Sequence, residues 1–65
     1  MQIQINGKAE NVDAHNLAEL IIELGVSPQS LVIECNKKII RQDQWAATTL
    51  AEDDRLELLN FVGGG

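Results

Sequence analysis

Met1-Gln2-Ile3-Gln4-Ile5-Asn6-Gly7 is the stretch that decides the fold class. Its apolar residues alternate with amides, the period of a strand that buries one face and wets the other. Asn6-Gly7 is a favoured pair for a type I′ turn, because both central positions of that turn need a positive φ. A strand ending in such a turn returns on itself, so Ala9 to Val12 is the expected antiparallel partner. A hairpin with one apolar face needs a second layer to cover it.

The second layer follows in the chain. Asn16 and Glu19 have the spacing of a capping box, with asparagine in place of the usual serine or threonine. Leu17, Leu20, Ile21 and Leu24 recur at i, i+3, i+4 and i+7, which is one helical face. Gly25 stands where a left-handed closing residue belongs, and Pro28 lies just beyond it. The spacing predicts a helix over residues 17–24 with its stripe on the sheet. Leu31 to Cys35 reads as a third strand, Asn36-Lys37-Lys38 as a turn and Ile39-Ile40 as a short return. Gln42 to Leu50 has weak periodicity and is expected to form a helical turn carrying Trp45. Glu52-Asp53-Asp54 is a polar corner, and Arg55 to Val62 closes the fold as a last strand. One helix on one face of a mixed sheet of four to five strands is an α+β architecture. The order of elements is consistent with a ubiquitin-like β-grasp, in which the last strand lies parallel to the first at the sheet centre. Residues 1–62 then form one domain and residues 63–65 a flexible glycine tail.

With 65 residues there is room for one core. A chain this short buries only about 60% of the surface its unfolded form exposes, and it cannot easily spare a drug-sized pocket of roughly 300–1,000 Å³. Ten acidic residues against five basic ones give a net charge of −5, which repels nucleic acid and anionic lipid. Cys35 is the single cysteine, so no internal disulfide forms, as suits a reducing compartment. No basic segment leads into an apolar run, and no stretch approaches the ~20 apolar residues of a membrane span. The expectation is a cytoplasmic protein with neither nucleic acid nor membrane as partner.

The residue types that carry chemistry are sparse. No Ser-His-Asp set, phosphate loop or zinc-ligand set is present, so neither a catalytic residue nor a metal site is expected. His15 stands alone ahead of the helix. Cys35 sits in an apolar strand without a neighbouring cation to lower its pKa, and a packing role is expected for it and for Trp45. In the last strand, Leu56, Leu58, Asn60 and Val62 share one face, and Glu57, Leu59 and Phe61 share the other. If Leu56 and Leu58 point to the helix, Leu59 and Phe61 lie on the open face as a partner-docking patch. Gly63, Gly64 and Gly65 follow directly after that strand.

The order of elements, Gln44-Trp45 ahead of the last strand, and Phe61-Val62-Gly63-Gly64-Gly65 together resemble the ThiS family of sulfur carriers in thiamine biosynthesis. The resemblance covers essentially the whole chain. It departs at two turns: the family often has Gly-Asp where this chain has Asp53-Asp54, and Asn-Gly where it has Asn36-Lys37. What the resemblance implies is a carrier, not an enzyme, with no bound cofactor. A ThiF-type enzyme would adenylate the Gly65 carboxylate with Mg-ATP, and a cysteine desulfurase pathway would supply the sulfur. The resulting thiocarboxylate on Gly65 would feed a thiazole synthase of the ThiG type. A molybdopterin-type carrier and a protein modifier joined through Gly65 to a lysine share the same acyl chemistry.

Glycine suits that chemistry for a physical reason. Lacking Cβ, it lets the backbone approach bound groups closely, and three extended residues reach about 10 Å into a narrow channel. The carboxylate itself, with a pKa of about 3.3–3.7, is ionised and a poor electrophile at neutral pH, which is why adenylation must precede sulfur transfer.

Overall fold

The computed structural model describes residues 1–60, and Phe61 to Gly65 lie outside the described residues. The elements are β1 (Gln2–Ile5), β2 (Lys8–Asn11), α1 (Leu17–Leu24), β3 (Leu31–Cys35), β4 (Lys38–Ile40), a 3-10 turn (Gln42–Gln44) and β5 (Arg55–Asn60). The sheet order is β2-β1-β5-β3-β4. β1 and β5 are parallel, with Gln4 beside Arg55 and Ile5 beside Leu56, and the other three pairings are antiparallel. This is the β-grasp arrangement, with the last strand at the sheet centre.

The first hairpin closes as its sequence requires. Asn6 and Gly7 have φ of 51° and 83°, both positive as a type I′ turn demands. The Asn6 side chain also accepts the Leu58 N–H at 2.9 Å, tying that turn to β5. Helix α1 begins where Asn16 Oδ1 accepts the Glu19 N–H at 2.8 Å. The reciprocal bond falls one residue early: the Glu19 carboxylate accepts the His15 N–H at 2.9 Å, ahead of the cap residue. That backbone bond, with a further contact to the His15 ring, holds the Glu19 carboxyl below its ordinary pKa. The contribution is therefore present at neutral pH and is lost as acid protonates Glu19. Gly25 ends the helix at φ 72°, and the Val26 N–H returns to the Ile21 carbonyl at 3.2 Å.

Ile3, Leu31, Ile33, Cys35 and Leu56 from the sheet meet Leu17, Leu20 and Ile21 from the helix in one core. Leu24 departs from the expected stripe. It is the last helical residue, where the chain turns away at Gly25, and it remains 36% exposed. The segment after β4 also differs from a regular helical turn, since only Gln42–Gln44 form a 3-10 turn. Its purpose is to seat Trp45, which is buried and whose Nε1–H donates to the Ile40 carbonyl at 3.1 Å. Leu50 N–H to His15 O at 2.8 Å and Leu17 N–H to Thr48 O at 3.2 Å then tie this loop to the start of α1.

The two turns at which the resemblance implies glycine hold their residues in the conformation glycine favours. Asn36, Lys37 and Asp53 have φ of 50°, 72° and 70°. A left-handed residue with a Cβ costs about 1–2 kcal/mol, less for Asn and Asp, whose short side chains bond locally. Lys37 has no such relief. Lys37→Gly is expected to raise stability by about 0.5–1 kcal/mol, the relieved strain exceeding the added unfolded-state entropy, and Asp53→Gly to be nearly neutral. Thermal unfolding of the two variants checks this, and a lower melting temperature for Lys37→Gly would contradict it.

Candidate docking face and carrier end

β5 is the element that positions the site. It runs between β1 and β3 and is pinned from both sides by asparagines in turns. Asn6 accepts the Leu58 N–H on one side. On the other, Asn36 Oδ1 accepts the Arg55 N–H at 3.0 Å, while its Nδ2 donates to the Asp54 carboxylate at 3.0 Å. Asp54 in turn accepts the Ala51 N–H at 2.8 Å, closing the polar corner before the strand. A strand held this way gives residues 61–65, next in sequence, a fixed point of departure at Asn60.

Strand alternation divides β5 as expected. Leu56 is buried under α1 and Leu58 packs partly against the same core. Leu59 lies on the open face, 49% exposed, opposite Val32 of β3. Phe61, the other expected docking residue, and Gly63, Gly64 and Gly65, the expected carrier end, lie outside the described residues. The structure adds Ile39, opposite Glu34 on β4 and 68% exposed. The signal for it was available, since of two adjacent strand residues such as Ile39-Ile40 only one can face the core.

Cys35 lies on the core side of β3. Burial first, and the nearby Asp54 charge second, push its thiol above the ordinary cysteine pKa. A thiol kept protonated is a poor nucleophile. Folded protein is expected to react with iodoacetamide at pH 8 at least about tenfold more slowly than denatured protein. Equal rates, followed by mass, would show the thiol to be accessible. His15 is exposed, with its ring Nδ1 3.2 Å from Glu19. Among the described residues no group of three or more His, Cys, Asp and Glu side chains is arranged to hold a metal ion. Among them also, no helix is long and apolar enough to cross a membrane.

Among the grooves that the described residues form, one lies beside the helix and one on the sheet. The first, of about 300 Å³, lies between α1 and the Trp45 loop, lined by Ala18, Ile21, Ile22, Val26 and Ala46 among others. This is the lower limit of a drug-sized site. Among the described residues lining it there is no nucleophile, and Asp43 is the one charged side chain. The other, about 270 Å³, lies on the open side of the sheet between Glu34, Glu57, Arg55 and Lys37. Neither has the residues of an acyl-transfer centre.

Comparison with known proteins agrees on one family. The model of the ThiS family matches residues 3–65. A thiazole synthase of Magnetococcus marinus is 36% identical over 66 residues, covering all of this chain and 20% of that protein, so the chain spans about a fifth of its length. The sulfur carrier protein ThiS of Bacillus subtilis is 29% identical over 65 residues, covering 97% of this chain and 98% of that one. The crystal structure of a thiamine biosynthesis protein (ThiS) from Geobacter metallireducens superposes with a TM-score of 0.85 at 33% identity, with both chains fully covered. With matching topology, matching length and a family match running from the first strand through the glycines, the chain belongs to the ThiS family.

Proposed function

We propose that this chain is the sulfur carrier for the thiazole moiety of thiamine and that its reacting group is the carboxylate of Gly65. The observation that carries the reading is the family match extending through residue 65, on a β-grasp whose central strand leads in sequence into the glycines. A ThiF-type enzyme takes the carboxylate and Mg-ATP to an acyl-adenylate, releasing pyrophosphate. A sulfur nucleophile drawn from a cysteine desulfurase pathway then attacks the acyl carbon. The C–S bond forms, the C–O bond to AMP breaks and AMP leaves with the electron pair; where the nucleophile is a persulfide, a second thiol then reduces the acyl disulfide, its sulfur pairing with the donor's while the acyl-bound sulfur leaves as the thiocarboxylate. The thiocarboxylate gives its sulfur to a thiazole synthase of the ThiG type. Other proteins perform every catalytic step, and the chain itself binds no cofactor. The work is done in the cytoplasm.

The thiazole synthases that contain a stretch similar to this chain support thiamine over molybdopterin as the destination. They do not support a protein modifier either, whose end point is an amide to lysine. The test is incubation with Mg-ATP, a sulfur source and the ThiF-type enzyme of the same genome, followed by intact mass. Replacement of one oxygen by sulfur at Gly65 is expected, and conjugates of higher mass would favour the modifier instead.

Leu59 and Phe61 serve as the apolar anchors of docking. Leu59→Asp leaves a half-exposed position half-exposed, so the melting temperature should hold within a few degrees. The KM of the chain in adenylation should rise roughly tenfold or more, the loss typical of a truncated interface anchor. An unchanged KM would remove Leu59 from the interface.

A further inference from the structure

We infer that the open face docks on the adenylating enzyme through three bands, and that its middle band is a pair of repelling carboxylates which the partner neutralises with a lysine or arginine. The inference rests on the carrier reading above and names the chemistry of the partner's surface. Register places Leu59 opposite Val32, and the next residues on the same face, Glu57 and Glu34, opposite each other. Arg55 follows on β5 and Lys37 lies just past β3, both lining one crevice with the two glutamates. The order along β5 is thus apolar, acidic, basic, each residue about 7 Å from the last, and Lys37 in the turn after β3 adds a second cation at the basic end.

The acidic band is the informative one. Like charges directly opposite on neighbouring strands destabilise a sheet. Arg55 and Lys37 do not cancel the repulsion by contact. Among the described residues the ion pairs are His15–Glu19 and Arg41–Asp43, and neither involves Glu34 or Glu57. Glu34 is only partly exposed and lies opposite Ile39 on its other side. The free protein holds this pair between the apolar band of Leu59 and Val32 and the basic residues Arg55 and Lys37, with Ile39 beside Glu34 on β4. A partner surface that is apolar, then basic, then acidic matches every band, and binding would remove the repulsion. The overall charge of −5 adds long-range attraction to such a basic spot.

The prediction couples two readouts that a merely structural role would move together. In adenylation by the ThiF-type enzyme, read as pyrophosphate release, Glu34→Gln and Glu57→Gln should each raise the KM of the chain roughly tenfold, with kcat unchanged. The same variants should melt a few degrees higher than wild type, because the repulsion is gone. Glu57→Lys, which pairs with Glu34 across the strands, should raise both KM and melting temperature further. The wild-type KM should climb with added salt, and that of the double Gln variant should hardly change. If the wild type releases no pyrophosphate, the carrier reading falls and this partner with it. If the wild type turns over but the variants keep its KM, or lose stability, the banded partner alone is overturned.

Discussion

Gly65→Trp is expected to leave the melting temperature of the protein unchanged and to lower its adenylation at least about a hundredfold, the scale of loss when a reacting group is misplaced by an ångström. The fold should not notice, because the buried residues among those described run from Ile3 to Leu56 and Gly65 follows Asn60, the end of β5, by several residues. The chemistry should notice for two reasons. A carboxylate oxygen must come within bonding reach of the ATP α-phosphorus inside another protein's site, and a side chain on the same residue widens the end that has to enter. It also removes the φ values that glycine alone adopts without strain. Gly65→Ala separates the two effects, since a methyl group adds little width but restricts φ almost as much. An intermediate loss for alanine and a near-complete loss for tryptophan would assign most of the effect to width. Unimpaired pyrophosphate release by the tryptophan variant would remove the channel argument altogether.

The parts of this molecule that were legible in the sequence are those governed by local rules. Asn6-Gly7, the Asn16 cap and Gly25 each act within a few residues and adopt the geometry their chemistry predicts, while the Glu19 half of the capping box binds one residue early, at His15. The alternation in β5 likewise assigned Leu56 and Leu58 to the core and Leu59 to the open face. What periodicity could not supply was anything that depends on how far an element overlaps its neighbour. Leu24 fits the helical stripe but sits at the end of α1, with the chain already leaving. The loop from Gln42 onward is held by bonds to Ile40, His15 and Leu17, and no local pattern encodes those. Ile39 was visible as an apolar residue, but its neighbours across the sheet were not. The Glu34–Glu57 pair is the extreme case. The two residues are 23 positions apart in the chain, and a register shifted by one would have put them on opposite faces. The glycine end, whose role is a proposal, is noticed for the opposite reason, since a run of glycines after an apolar strand needs no tertiary context to stand out.

Ile33→Ala should be the most damaging single change to the fold, lowering stability by about 2–5 kcal/mol. Ile33 is fully buried at the middle of β3, opposite Leu58 of β5 and Ile40 of β4. Truncation there removes contacts toward three elements at once, the third being the α1 stripe that covers the sheet. A domain of this size has a total stability of roughly 3–10 kcal/mol, so the variant should be partly or wholly unfolded at 37 °C. Denaturant titration at low temperature gives the loss directly, and Ile33→Val, at about 0.5–1.5 kcal/mol, gives a measurable intermediate if alanine proves too damaging. The matched control is Ile22→Ala on the helix, 79% exposed, where the change should stay within about 0.5 kcal/mol. The two isoleucines differ in burial and hardly at all in chemistry, so their ratio isolates packing. A loss below about 1 kcal/mol at Ile33 would mean that the small core closes over the missing methyl groups. In that event β5 could shift between β1 and β3 at little cost, and the fixed departure point it gives the glycine end would lose its physical basis.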